Sequence, residues 1–263
     1  MPELPEVETF KRYIDQTSLN QKITQIDCAD NRLLKKELEE FEKHLLGESF
    51  TETHRIGKYL FLKTTGSKVL IMHFGMTGRP SYYYGEGARP KYAHITYQFA
   101  NGYFLGFQNR RKFGWNDLTD NIEPYQNEMG LATDASQITF DAFVAAIRKR
   151  KTYIKPVLMD QAVLAGIGNW MADDICYQAS IHPKRKIASL SDEDLKCIFD
   201  VMKNLIEIAI KEEAVYRNFP KHFFIHIRKE GAICHHTSSK IEKLTVGGRT
   251  TFYSPMRQKL NGD

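Results

Sequence analysis

The hydrophobic pattern of the chain changes period near residue 130, and few architectures accommodate that change. Before it, apolar residues fall in short runs rich in β-branched and aromatic side chains, at 22–26, 59–64, 69–74, 94–99 and 103–108. Stretches such as Thr65-Gly66-Ser67 and Asn101-Gly102 separate them, and Asn-Gly between two alternating runs is a hairpin signal. Pro5 is placed to start a short helix with Val7, Phe10, Tyr13 and Ile14 on one face, and a second helical segment near 36–46 interrupts the strands. After the change, Phe140, Phe143, Val144 and Ile147 line one helix. A longer helix follows the capping-box pattern Ser191-Asp192-Glu193-Asp194, with Leu195, Ile198, Phe199, Met202, Leu205, Ile206 and Ala209 at helical spacing. The tail, 223–227 and 244–252 around Gly247-Gly248, returns to strand character. Strands followed by helices are the α+β pattern, and many short strands suggest a sandwich or a barrel for the first half. The boundary falls among the small and polar residues of 130–136.

Composition excludes several classes. With 42% hydrophobic and 26% charged residues the chain is an ordinary globular protein, and it has no apolar run of membrane-spanning length. The N-terminus lacks a basic region followed by an apolar stretch, so no secretory leader is expected. Cys28, Cys176, Cys197 and Cys234 lie far apart without paired spacing, which argues against a disulfide framework and suits the cytoplasm. Thirty-seven Lys plus Arg against 32 Asp plus Glu leave a net charge of +5, so the clusters matter more than the sum. They sit at Arg110-Arg111-Lys112, at Arg148-Lys149-Arg150-Lys151 and through Lys240, Lys243, Arg249, Arg257 and Lys259. Each alone reads as a solvated face.

The chemistry begins at the start, Met1-Pro2-Glu3-Leu4-Pro5-Glu6-Val7-Glu8. Once Met1 is trimmed, Pro2 is a free secondary amine beside carboxylates, able to form a Schiff base with an aldehyde carbon. The plainer reading, a first-turn proline followed by first-turn acids, explains Pro5, Glu6 and Glu8 but not Pro2-Glu3.

This start resembles that of the formamidopyrimidine-DNA glycosylase and endonuclease VIII family of DNA base-excision repair enzymes. Further motifs match in order. Ile56-Gly57-Lys58-Tyr59-Leu60 resembles the segment that presents a catalytic lysine, Lys58 here. His73-Phe74-Gly75-Met76-Thr77-Gly78 and Asn109-Arg110-Arg111-Lys112-Phe113-Gly114 resemble the two loops that fill the gap left by an extruded base, with Met76, Arg111 and Phe113 at the family's Met, Arg and Phe and Asn109 where the family has Asp. The plainer reading makes Met76 and Phe113 core residues. The segment from Asp160 to Asp174 resembles the helix–two-turns–helix element, with Asn169 at the phosphate-binding asparagine and Gly166 and Gly168 in turns whose amides can bind phosphate. Arg249, beside Gly247-Gly248, matches the arginine that grips a phosphate.

Two departures stand out. The four cysteine positions of the family's zinc finger read Cys234, Thr237, Ser254 and Arg257, so a zincless finger is expected, with no metal and no other cofactor. The path 214–222 is also short where 8-oxoguanine readers carry a Gly-rich loop, which resembles the endonuclease VIII branch; formamidopyrimidines are accepted across both branches.

The resemblance implies an α+β fold: an N-terminal β-sandwich catalytic domain over 1–130, a helix–two-turns–helix domain over 131–222 and a zincless-finger β-hairpin over 223–263. It implies a bifunctional DNA glycosylase and apurinic/apyrimidinic lyase acting as a monomer on double-stranded damaged DNA, cytoplasmic and, in a bacterium, nucleoid-associated. Pro2 is its expected nucleophile, Glu3 its acid–base group, Glu6 a residue that orders the site and Lys58 an electrostatic partner. Met76, Arg111, Phe113, Asn169 and Arg249 are the expected DNA contacts. A non-catalytic binder of damaged DNA is the alternative, but it would have no use for an N-terminal amine.

Overall fold

The structure is a computed structural model and describes residues 1–260. These form two compact units, one of Met1–Pro2 with Glu6–Met129 and one of Glu3–Pro5 with the chain from Gly130 onward.

In the first unit, helix α1 (Leu4–Thr17) leads into β1 (Ile23–Cys28), α2 (Leu38–Leu45), β2 (Phe50–Ile56), β3 (Tyr59–Thr64), β4 (Val69–His73), β5 (Gly78–Tyr84), β6 (Ala93–Phe99), β7 (Tyr103–Asn109), β8 (Trp115–Thr119) and α3 (Ile122–Glu128). The strands make two antiparallel four-stranded sheets, ordered β1-β6-β7-β5 and β2-β3-β4-β8. This is a β-sandwich. Ile26, Tyr97, Leu105 and Phe107 of one sheet share a core with Phe50, Leu60, Leu62 and Leu70 of the other, and Val7 and Ile14 of α1 join it. Phe61 and Ile71 point the opposite way and pack with Tyr125 of α3. Strands β3 and β4 are thus buried on both faces, and they read as continuous apolar runs.

The sequence pattern misses β2, β5 and β8, and all three are sheet edges. An edge strand needs less apolar surface and tolerates residues that a central strand does not. β2 carries Glu52, His54 and Arg55, β8 carries Asn116 and Asp117, and β5 holds Pro80, which has no N–H to offer a second neighbour.

In the second unit, α4 (Phe140–Arg148), α5 (Ile154–Met159), α6 (Asn169–Gln178) and α7 (Asp192–Lys211) precede the hairpin of β9 (Glu242–Val246) and β10 (Arg249–Tyr253). Phe143, Ile147, Leu158, Leu164, Ile175, Ile198, Met202 and Leu205 are buried in one core. Both halves of the capping box at Ser191 and Asp194 are formed. The strand expected at 223–227 is instead a 3-10 turn, Phe224–Ile227. Consecutive Phe223 and Phe224 are both fully buried, which an alternating strand does not allow, and the Ile225 N–H is tied to Asp174 Oδ2 at 2.8 Å. The segment expected as a finger, 223–263, belongs to this unit, and its last residues, 261–263, lie outside the described ones. Among the described residues no helix is long and apolar enough to cross a membrane.

Candidate functional site

Glu3 is the residue whose surroundings are most specific. It is buried, and its carboxylate accepts hydrogen bonds from the backbone N–H groups of Gly168 (2.8 Å), Trp170 (3.0 Å) and Met171 (3.2 Å). These donors are the open N-terminal end of α6, where the helix dipole favours an anion. The turns before α6 are shaped by the same contact. A Cβ on Gly168 would lie 2.2 Å from Glu3 Cδ, and Gly166, at φ +111, would meet Leu4 Cδ1 at 2.6 Å. The turn amides read above as phosphate donors are therefore engaged inside the protein: Gly168 by Glu3, and Gly166 by Gln161 Oε1 at 2.9 Å. Pro2, the residue before Glu3, is half-buried.

Lys58 sits in the turn between β2 and β3, directly after Gly57 at φ +58. That turn is braced by Arg55, whose Nη1 donates to the Gly57 carbonyl at 3.1 Å and whose Nε meets Glu8 Oε2 at 2.9 Å. Glu8 is thus more than a first-turn acid, and neither it nor Arg55 stands out in the sequence as a positioning residue. Lys58 is buried, and its charge is felt by His73. Burial first, then Lys58 and Lys35, push the His73 imidazole down to about 4. Glu6 is half-buried in the first turns of α1.

Met76, Arg111 and Phe113 lie on two loops that are joined to each other. Asn109 Nδ2 donates to the Phe74 carbonyl at 3.2 Å, and the Arg111 N–H donates to Thr77 Oγ1 at 3.1 Å. Gly75, at φ +59, abuts the backbone of Phe113, where a Cβ would come within 2.4 Å. The first of these bonds accounts for asparagine at 109, because a carboxylate has no proton to donate. Met76 and Phe113 are 39% and 56% exposed, so neither is a core residue. The Arg111 guanidinium lies 5.1 Å from the centre of the Phe113 ring, a cation–π contact on the surface.

In the second unit, Asn169 and the strand of Arg249 are brought together. Asn169 Nδ2 donates to the Thr250 carbonyl at 3.0 Å, and Asn169 Oδ1 has no hydrogen-bond partner among the described residues. Below this contact lies a cluster that the sequence reading passed over: Lys155 and Asp173, both fully buried, with Arg228 on the second oxygen of Asp173. Its signal was present, since a lysine in Ile154-Lys155-Pro156-Val157 and an aspartate in Met171-Ala172-Asp173 stand among apolar residues.

Three of the four finger positions, Cys234, Thr237 and Ser254, converge as a hydrogen-bonded group. Cys234 Sγ contacts Tyr177 Oη at 3.2 Å, the hydroxyls of Thr237 and Ser254 lie 3.5 Å apart, and Ser239 bonds both, at 2.8 and 3.1 Å. Arg257 turns away from this group, its Nε donating to the Tyr177 carbonyl at 2.8 Å. Burial alone would raise the Cys234 thiol, but bonds from Ser254, Thr237, Tyr177 and the His236 backbone outweigh it and bring the thiol down to about 6. Structural zinc takes four ligands from Cys, His or carboxylates. One thiol, two hydroxyls and a guanidinium do not fit it.

Residues 1–116 match the family model of the formamidopyrimidine-DNA glycosylase N-terminal domain, and residues 129–219 match that of the formamidopyrimidine-DNA glycosylase H2TH domain. Among curated relatives, formamidopyrimidine-DNA glycosylase of Streptococcus pneumoniae is 34% identical, over 98% of this chain and 99% of its own length. That of Arabidopsis thaliana is 33% identical, over 100% of this chain and 72% of its own. Among solved structures, the Lactococcus lactis protein in complex with DNA containing an abasic site superposes with a TM-score of 0.89 at 28% identity, covering 98% of this chain and 99% of that one. The same protein with DNA carrying an N7-benzyl formamidopyrimidine gives a TM-score of 0.90 at 28% identity, covering 98% and 100%.

Proposed function

Because the chain belongs to the formamidopyrimidine-DNA glycosylase family, we propose that it is a bifunctional DNA glycosylase and apurinic/apyrimidinic lyase of base-excision repair. The observation that carries this reading is the N-terminus itself. Pro2, an amine once Met1 is removed, adjoins Glu3, whose carboxylate is oriented by three backbone N–H groups. A general acid–base group works only when its geometry is fixed.

In this reading the damaged nucleotide leaves the stack of a DNA duplex. The Pro2 nitrogen attacks C1′ of its sugar, the bond from C1′ to the base breaks, and the base departs with the electron pair and a proton. Glu3, its carboxylate protonated from solvent, delivers that proton to the ring oxygen O4′, the C1′–O4′ bond breaks, and the opened sugar is held as an iminium on Pro2. The iminium acidifies the C2′ protons. Loss of one of them expels the 3′ phosphate, a second elimination releases the 5′ phosphate, and water then frees Pro2. Lys58 supplies positive charge near the sugar, and Glu6 orders the N-terminal turn.

Met76, Arg111 and Phe113 fill the vacated space, which their exposure on joined loops supports. Asn169 and Arg249 hold phosphates of the lesion strand. The enzyme works as a cytoplasmic monomer without metal or organic cofactor. Formamidopyrimidines are its expected substrates. Incubation with a duplex carrying one formamidopyrimidine should release the free base and a cut strand. A protein that binds this duplex and leaves both bonds intact would be the non-catalytic binder instead.

A further inference from the structure

Three successive residues of β10, directly after Arg249, are tied to a buried cluster of charges. Lys155 Nζ meets Asp173 Oδ1 at 2.7 Å, Thr251 Oγ1 at 2.6 Å and the Thr250 carbonyl at 3.3 Å. Asp173 Oδ2 accepts from the Phe252 N–H at 3.4 Å and from Arg228 Nε at 2.8 Å, and the Arg228 guanidinium lies 5.3 Å from the centre of the Phe252 ring. Thr251 Oγ1 in turn donates to the Arg249 carbonyl at 3.1 Å. On the neighbouring turn, Gly247 fits so closely against Pro156 that a Cβ would come within 2.9 Å of its ring.

A fully buried ion pair is a poor source of stability, because removing two charges from water costs about as much as their attraction returns. Here its remaining side-chain bonds go to one short strand and to Arg228, whose guanidinium lies over Phe252 of that strand. We propose that Lys155, Asp173 and Arg228 are positioning residues for Arg249, and that they hold the hairpin mechanically as a metal ion would in a four-ligand finger. The role rests on Arg249 being the phosphate contact described above. The Cys234 group closes the far end of the same segment, but among the described residues its hydrogen bonds stop at Ser254, just beyond β10.

The test uses the full chain on a duplex with a preformed abasic site. Exchanging the pair for apolar residues of similar size, Lys155→Met with Asp173→Leu, removes the ties and leaves no fully buried charge unpaired, since the Arg228 side chain is 18% exposed and reaches solvent. KM should rise about tenfold with kcat within about twofold, and adding Arg249→Ala should cost less than about twofold more, since both changes remove one contact. Thr251→Val leaves the ion pair intact, so it guards against a double variant that fails to fold. It should raise KM roughly threefold by breaking the relay to Arg249. An unchanged KM in the variants that fold, or losses that simply multiply with Arg249→Ala, would overturn the proposal. If Arg249→Ala alone leaves KM unchanged, the phosphate reading of Arg249 fails instead. That outcome differs from failure of the clamp, in which Arg249→Ala raises KM and the cluster variants do not.

Discussion

Glu3 and Gly168 are in contact so close that no side chain fits between them: the Gly168 N–H donates to Glu3 Oε2 at 2.8 Å, and a Cβ on Gly168 would stand 2.2 Å from Glu3 Cδ. Gly168→Ala must therefore push the Glu3 carboxylate out of its cradle. Displacing a catalytic group by about 1 Å can cost roughly a hundredfold in rate. Base release from an intact lesion should fall by that order, while cleavage of a preformed abasic site, which already offers an aldehyde, should fall far less. Single-turnover assays on the two substrates make the comparison. Equal losses on both would remove Glu3 from the role given to it.

Met76→Ala, Arg111→Ala and Phe113→Ala should leave the thermal midpoint almost unchanged, because exposed side chains away from packed features contribute within about 0.5 kcal/mol. Their effect should appear in excision rate, largest where the lesion sits in a stable pair and smallest opposite a mismatch, where unpairing is easier. A uniform slowing across all opposite bases would argue against a gap-filling role.

The finger is expected to work without metal. Elemental analysis of the purified protein should find no stoichiometric zinc, and a chelator should leave incision unchanged. Arg249→Ala should weaken duplex binding and reduce the salt dependence by about one phosphate contact. Zinc at one equivalent with Cys234 among its ligands would refute this part.

His73 gives the fold an acid limit. Its imidazole is held near 4 in the folded protein against an ordinary value of 6.5, by burial and then by Lys58 and Lys35. Below pH 6.5 the unfolded chain takes up the proton first, so stability present above 6.5 is lost as pH falls toward 4, up to about 3 kcal/mol. Asp174 runs the other way. Burial raises its carboxyl to about 6, so its ionisation costs stability as pH rises from 3.8 to about 6. The informative quantity is therefore the difference between wild type and His73→Phe, which keeps the ring stack on Trp115. That difference should shift toward the variant between pH 6.5 and 4 in denaturant titrations. A difference independent of pH would show that His73 does not titrate in this range.

What could be read from the sequence divides along physical lines. Central strands such as β3 and β7 announce themselves by two-sided burial, and α7 by its period and its capping box. Edge strands β2, β5 and β8 do not, because exposure on one side lets charge, amides and Pro80 into them. The motif residues were named from the sequence, but the partners that fix them lie far along the chain. Nothing near Gly168 predicts that Glu3, 165 residues earlier, fills its turn. Nothing near Thr251 predicts Lys155, 96 residues earlier. The turn glycines were readable as requirements, while the reason for them was long-range packing.

The central claim is that the Pro2 nitrogen is the nucleophile, and borohydride trapping tests it most directly. The protein with Met1 removed should be reduced onto abasic duplex DNA, with mass spectrometry locating the adduct on the N-terminal peptide at Pro2. The same chain with Met1 retained should not trap. An adduct on Lys58 or any other lysine, or equal trapping with Met1 proven present, would contradict the account.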